Sequence, residues 1–173
     1  KMTDFNEIFS SYLAKVFEKA RSSVREESYY SVLEDLLNEF SIKTKRNIKI
    51  DSFPKQTEAG NPDIRILSSN GKLIGYIEAK DPRQESLETI EDLEQLDRYR
   101  KTFPNLILTN FCEFRLYRNG VLLGKPVKIS DINTFIGRSF ENIPVQNLDQ
   151  ITQLFEQFLS FLTPRIYTPK ALA

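Results

Sequence analysis

The chain has 173 residues, with 24 Lys and Arg matched by 24 Asp and Glu, no histidine, one cysteine and no apolar run of membrane length. These numbers exclude His-based triads, His metal ligands, intramolecular disulfides and Cys-rich zinc sites, and they fit a cytoplasmic protein of one ordinary domain with no membrane span. Balanced charge weighs mildly against nucleic acid unless cations gather on one face, as the runs Lys43-Thr44-Lys45-Arg46 and Arg98-Tyr99-Arg100-Lys101 would allow.

From Asp4 to Ala20, Phe5, Ile8, Phe9, Tyr12, Leu13, Val16 and Phe17 recur at helical spacing and predict a first amphipathic helix. A second is predicted from Ser23 to Phe40, with Tyr30, Leu33, Leu36, Leu37 and Phe40 as its buried stripe. Ile48 to Phe53 alternates as a strand and leads through Pro54 into a loop. Beyond the hairpin described below, a charged helix runs from about Ser86 to Lys101, with Leu87, Ile90, Leu93 and Leu96 facing inward. Leu106 to Thr109 is wholly apolar apart from its last residue, the pattern of a strand covered on both faces and paired in parallel. Asn119-Gly120 marks a second hairpin between Glu113–Arg118 and Val121–Leu123, and Cys112 reads as a small core or strand residue. The stretch from Asp131 to Val145 reads as irregular. Leu148, Ile151, Leu154, Phe155, Phe158, Leu159 and Leu162 then predict a terminal helix, and Pro164 and Pro169 predict a linker over 164–173 after a domain spanning 1–163. The order of elements predicts an α/β fold, a mixed sheet flanked by helices, with its site at one edge.

The hairpin carries the chemistry. Pro62 to Leu67 reads as one strand, Asn70-Gly71 as a two-residue turn, and Leu73 to Glu78 as the return strand. With that loop, Ser69 faces Lys72, Leu67 faces Ile74, Arg65 faces Tyr76 and Asp63 faces Glu78, with Lys80 on the same face. Directly opposed residues have Cβ atoms about 5 Å apart, where two carboxylates repel and destabilise a sheet. A hard cation such as Mg²⁺ reverses the sign of that interaction, so Asp63 and Glu78 are candidate metal ligands. Lys80 adds a positive charge that could orient the nucleophile, or as the free amine deprotonate it, a combination suited to attack on a phosphodiester.

A further acid is expected from an element packed on the hairpin. Glu27 and Glu34 of the second helix are seven residues apart, hence about 20° apart around the axis and about 10 Å along it, too far to reach one ion together. On the later helix Gln95 and Tyr99 share a face that is not the apolar one, where an amide and a phenol could hold a nucleic-acid strand.

Taken in order, these segments resemble the PD-(D/E)XK nuclease domain found at the N-terminus of type ISP and IIG single-chain restriction-modification enzymes, and more distantly the type I restriction motor subunit. The carriers are Glu27-Ser28-Tyr29-Tyr30 with Leu33, Leu36 and Leu37, then Gly60-Asn61-Pro62-Asp63, Gly75 to Lys80, Gln95 to Tyr99, Asn105 to Asn110 and Glu113 to Tyr117, spread over nearly the whole chain. The resemblance implies a restriction-endonuclease-like fold, metal binding by Asp63 and Glu78, a catalytic Lys80, a supporting acid at Glu27, and DNA contact at Gln95 with Tyr99. It further implies a Mg²⁺-dependent endonuclease acting on double-stranded DNA. Sequence choice would come from following helicase, methyltransferase or target-recognition domains, and a second copy would be needed to cut both strands. The rival reading is a catalytically silent DNA-binding or interaction module of the same fold.

Overall fold

Helices cover both faces of a seven-stranded mixed sheet in the computed structural model, which describes residues 4–22, 25–52, 60–83, 86–88, 94–135 and 143–162. The expected linker at 164–173, the start of the second helix at Ser23, the strand end and loop at Phe53 and Pro54, and the inward positions Ile90 and Leu93 lie outside the described residues.

Helix α1 spans Phe5–Arg21. Asp4 caps it by accepting from the Glu7 amide at 2.7 Å, and Lys19 and Arg21 occupy the last turn, where the carbonyl end of a helix favours cations. The expected second helix divides into a 3₁₀ turn over Glu26–Tyr29 and α2 over Tyr30–Lys43. Strands β1 (Ile48–Ser52), β2 (Ile64–Ser68), β3 (Leu73–Ala79), β4 (Asn105–Thr109), β5 (Glu113–Arg118) and β6 (Val121–Leu122) follow one another across the sheet, and β7 (Val127–Lys128) also pairs with β5. Among the strands of the described residues only β3 and β4 pair in parallel, as the apolar β4 sequence predicts. Helix α3 (Glu94–Thr102) lies between them in sequence, α4 (Ile132–Phe135) is a short turn in the stretch expected to be irregular, and α5 (Leu148–Leu159) is the last element among the described residues. Leu162, expected in the α5 stripe, lies past the helix end and is 71% exposed.

Two hydrophobic layers sandwich the sheet. On one face α1, α2 and α5 bury Phe9, Phe40 and Phe155 against Ile64, Ile77, Ile107 and Leu116, with ring centroids 5.4 to 6.2 Å apart among the three phenylalanines. On the other face α3 buries Leu96, Tyr99 and Phe103 against Tyr76, Leu106, Leu108 and Tyr117. Cover on both sides explains why β4 is buried at every position. Cys112 is buried in the first layer, in the turn between β4 and β5.

The hairpin differs from expectation in two ways that cancel. Its loop has three residues, Ser69 to Gly71: Ser68 receives the Gly71 amide at 2.9 Å and donates to the Lys72 carbonyl at 2.7 Å, and Gly71 takes φ +78, where glycine has no steric penalty. Leu67 therefore faces Leu73 rather than Ile74, and Ser69 has no partner at Lys72. A bulge then inserts Ile74 opposite the Ile66/Leu67 junction and restores the predicted register, with Ile66 facing Gly75, Arg65 facing Tyr76 and Ile64 facing Ile77. One step further along, Asp63 comes opposite Glu78. These strands are second and third in the sheet, so the site lies at the strand ends inside it and not at an edge.

Candidate active site

Pro62 has no amide hydrogen to give a ladder, so paired strand structure starts only at Ile64 and Asp63 is left at the strand mouth. Its side chain takes the place of the missing backbone partner: Oδ2 accepts from the Ala79 amide at 2.8 Å. Oδ1 accepts from the Tyr30 hydroxyl at 2.7 Å, so α2 and β3 fix the carboxylate from two directions.

Glu78 is 4% exposed, near the end of β3. Its Oε1 receives the Lys80 ammonium at 3.2 Å, whereas Oε2 is buried without a donor. Lys80 is itself pinned by its backbone, whose amide donates to the Thr109 carbonyl of β4 at 2.8 Å. Asp63, Glu78 and Lys80 thus meet as the hairpin arithmetic predicts, with the two carboxyl groups close enough to share a proton.

Burial pushes the Glu78 carboxyl up to about 8, with the Asp63 charge adding to it and Lys80 opposing. Burial raises Asp63 as well, but Tyr30, Ala79 and Lys80 pull against that. Asp63 has donors on both oxygens, so the shared proton belongs on Glu78 and Asp63 is the ionised member. For Lys80, burial works against the charge, yet Glu78, Glu26 and Asp63 outweigh it and hold the ammonium above its ordinary value. It is charged at neutral pH. Tyr30 is raised far above the phenol range, first by burial and then by its bond to Asp63, and serves only as a donor.

The two glutamates of the 3₁₀ turn are placed differently. Glu27 is exposed in the 3₁₀ turn, whereas its neighbour Glu26 is half-buried and turned into the field of Asp63 and Lys80, with its carboxylate accepting from the Asp81 amide. Burial and Asp63 raise its carboxyl, and Lys80 opposes them. A regular helix continued back from α2 gives no reason to prefer Glu26; the tighter 3₁₀ turn changes the rotation per residue. Glu34 is committed elsewhere, accepting from the Ser52 hydroxyl of β1.

Gln95 is exposed on α3, as expected, but Tyr99 is not: its ring is fully buried in the α3 layer, so it cannot lie against a sugar or base. The Gln95 amide donates to the Tyr99 hydroxyl at 2.9 Å. Sequence reasoning did not place Glu26 or Tyr30 beside Asp63. The double acid Glu26-Glu27 was visible, but Tyr30 reads as core because its ring is core, and only the tertiary fold aims its hydroxyl.

No family model matches the chain, and no curated protein matches it. A solved structure described as a cryo-EM structure of a DrdV–DNA complex does match, with a TM-score of 0.62 over 92% of this chain at 19% identity. The two share a fold. DrdV is a restriction enzyme, so the mixed sheet flanked by helices is similar to a restriction enzyme structure, and the expected fold class stands. This chain covers 14% of the DrdV chain. No helix among the described residues is long and apolar enough to cross a membrane.

The residues fit a divalent cation in part. Each Asp63 oxygen keeps a lone pair after its hydrogen bond, and Glu78 Oε2 is a buried acceptor with nothing to accept from, which is a costly state unless a cation or proton answers it. Among the described residues, no group of three or more His, Cys, Asp and Glu side chains is arranged to hold an ion, so water and substrate oxygens would complete the shell, as is usual for Mg²⁺.

Proposed function

We propose that this chain is a Mg²⁺-dependent DNA endonuclease domain of a restriction-modification enzyme, hydrolysing phosphodiester bonds at the Asp63, Glu78 and Lys80 site. One observation carries the reading: a buried glutamate carboxyl that must hold a proton unless a cation takes its place, beside an ionised aspartate and a charged lysine at the mouth of a restriction-enzyme-like sheet. Bound Mg²⁺ would supply a Lewis acid for the phosphoryl oxygen and an acidified water. Asp63 and Glu78 would hold it, Glu78 giving up its proton to do so. Tyr30 and the Ala79 amide keep Asp63 in one orientation, and its charge is retained for the ion rather than spent on a proton. Lys80, protonated next to the carboxylates, orients the attacking water or stabilises charge growing on the phosphate. Glu26 lies in the same field and would serve as the supporting acid in place of Glu27.

Double-stranded DNA is the proposed partner, by likeness to the fold seen in the DrdV–DNA complex. A chain matching so small a share of that protein would leave target choice to helicase, methyltransferase or target-recognition domains, and would cut both strands only with a second copy. A single buried cysteine and the absence of a long apolar helix among the described residues support a cytoplasmic location.

The direct test is cleavage of two unrelated duplexes of equal length in Mg²⁺, with chelator controls, beside calorimetric titration of Mg²⁺. Metal uptake and cutting of both duplexes are expected, with both lost in Asp63→Ala. DNA binding without metal uptake would select the silent module, a reading supported by the lack of a third ligating side chain among the described residues. Discrete cutting of one duplex alone would assign target choice to this domain.

A further inference from the structure

Tyr99 and Gln95 brace the acid-bearing loop. Gly60, three residues before Asp63, has φ +128, and a β-carbon built on it would lie 3.2 Å from the Tyr99 hydroxyl oxygen and 3.3 Å from its Cε1. The loop backbone is therefore seated directly on the phenol end of Tyr99, at a position where any other residue would be strained by conformation and crowded by contact. The ring is fixed from behind by Phe103, with centroids 5.2 Å apart, and its hydroxyl is fixed from the solvent side by the Gln95 amide at 2.9 Å. Between Gly60 and the first residue of β2 the chain has only Asn61, Pro62 and Asp63, too short a span to absorb a shift at the glycine.

We propose that Tyr99, oriented by Gln95, is a positioning residue that sets the path of Gly60 to Asp63 and thereby the separation of the Asp63 and Glu78 carboxylates, and that it does not touch DNA. The proposal rests on the reading of those carboxylates as metal ligands. It assigns Gln95 and Tyr99 a task different from the nucleic-acid contact expected from their spacing, and it explains why a polar pair four residues apart has one member wholly buried.

Tyr99→Phe keeps the packed ring and removes only the hydroxyl, so the fold should survive with a melting temperature near that of the unaltered chain. Mg²⁺ affinity by calorimetry should weaken about tenfold, the lower end of what losing an outer-shell partner costs. The maximal cleavage rate should fall with it, while KM for DNA and affinity for a duplex in Ca²⁺ stay unchanged. Gln95→Ala should move the same quantities in the same direction by less. Unchanged metal affinity with weakened duplex binding in Tyr99→Phe would overturn the proposal and restore the DNA contact. A metal-free measurement separates failure of the brace from failure of the metal reading: exchange of the Ala79 amide, whose hydrogen goes to Asp63 Oδ2, should quicken in Tyr99→Phe. If the unaltered chain takes up no Mg²⁺ but Ala79 exchange quickens, the brace stands and the metal site does not. If exchange is unchanged, the brace is refuted.

Discussion

Glu78→Gln should make the metal-free domain more stable at alkaline pH, although it alters the proposed active site. Burial and Asp63 hold the Glu78 carboxyl at about 8 in the folded chain, against 4.5 for the ordinary group. Between those values the folded state carries a proton that the unfolded state has lost, so stability falls as pH rises through that window and is lowest above about pH 8. At about 1.4 kcal/mol per pH unit the whole interval caps the loss near 5 kcal/mol. Relaxation of the Lys80 ammonium toward the new charge and water entering the strand mouth would bring it to about 2 to 3 kcal/mol, or about 5 to 10 °C in melting temperature for a chain of this length. Gln mimics the protonated acid and never takes the charge. Thermal melts in chelator should therefore give nearly equal values for the two proteins at about pH 5 and a more stable variant at about pH 9. Adding Mg²⁺ at about 100 times its Kd should return about 2.7 kcal/mol to the unaltered chain at the higher pH and nothing to the variant. A variant that melts lower at alkaline pH, or follows the same pH curve as the unaltered chain, would refute the assignment of the shared proton to Glu78.

Lys80→Met keeps the length of the side chain and removes the charge; cleavage should fall by at least about a hundredfold while Mg²⁺ affinity holds or improves, because the ammonium repels the ion. Equal cutting by the variant would make Lys80 a surface charge. Glu26→Gln should reduce cleavage by about tenfold or more, whereas Glu27→Gln should change it little, and the opposite ranking by rate would return the supporting role to Glu27. Tyr30→Phe removes a hydrogen bond to an ionised carboxylate, worth about 1.5 to 3 kcal/mol, and should lower Mg²⁺ affinity about tenfold; a melt and a titration on the same sample check both. Intact metal affinity in that variant would mean that the Ala79 amide holds Asp63 unaided.

The amino-acid sequence by itself determined the order of the long helices and of strands β1 to β6, though not β7 or α4, together with the parallel pairing of the apolar β4 and the meeting of Asp63, Glu78 and Lys80, because side-chain alternation and hairpin pairing are local and periodic. It did not determine the loop length or the bulge. These came right at the site only because an extra loop residue and an inserted Ile74 shift the register by equal and opposite amounts. Tertiary structure decided three further matters. Glu26, and not Glu27, sits half-buried in the field of Asp63 and Lys80 because a 3₁₀ turn rotates its residues differently from the α-helix that apolar spacing predicts. Tyr30 became a hydrogen-bond donor to Asp63 because an aromatic ring can satisfy a core while its hydroxyl reaches beyond it to a polar partner. Tyr99 left the polar face because the sheet buries it under α3 and Gly60, and no periodicity along a helix records how far a neighbouring sheet and loop reach around it.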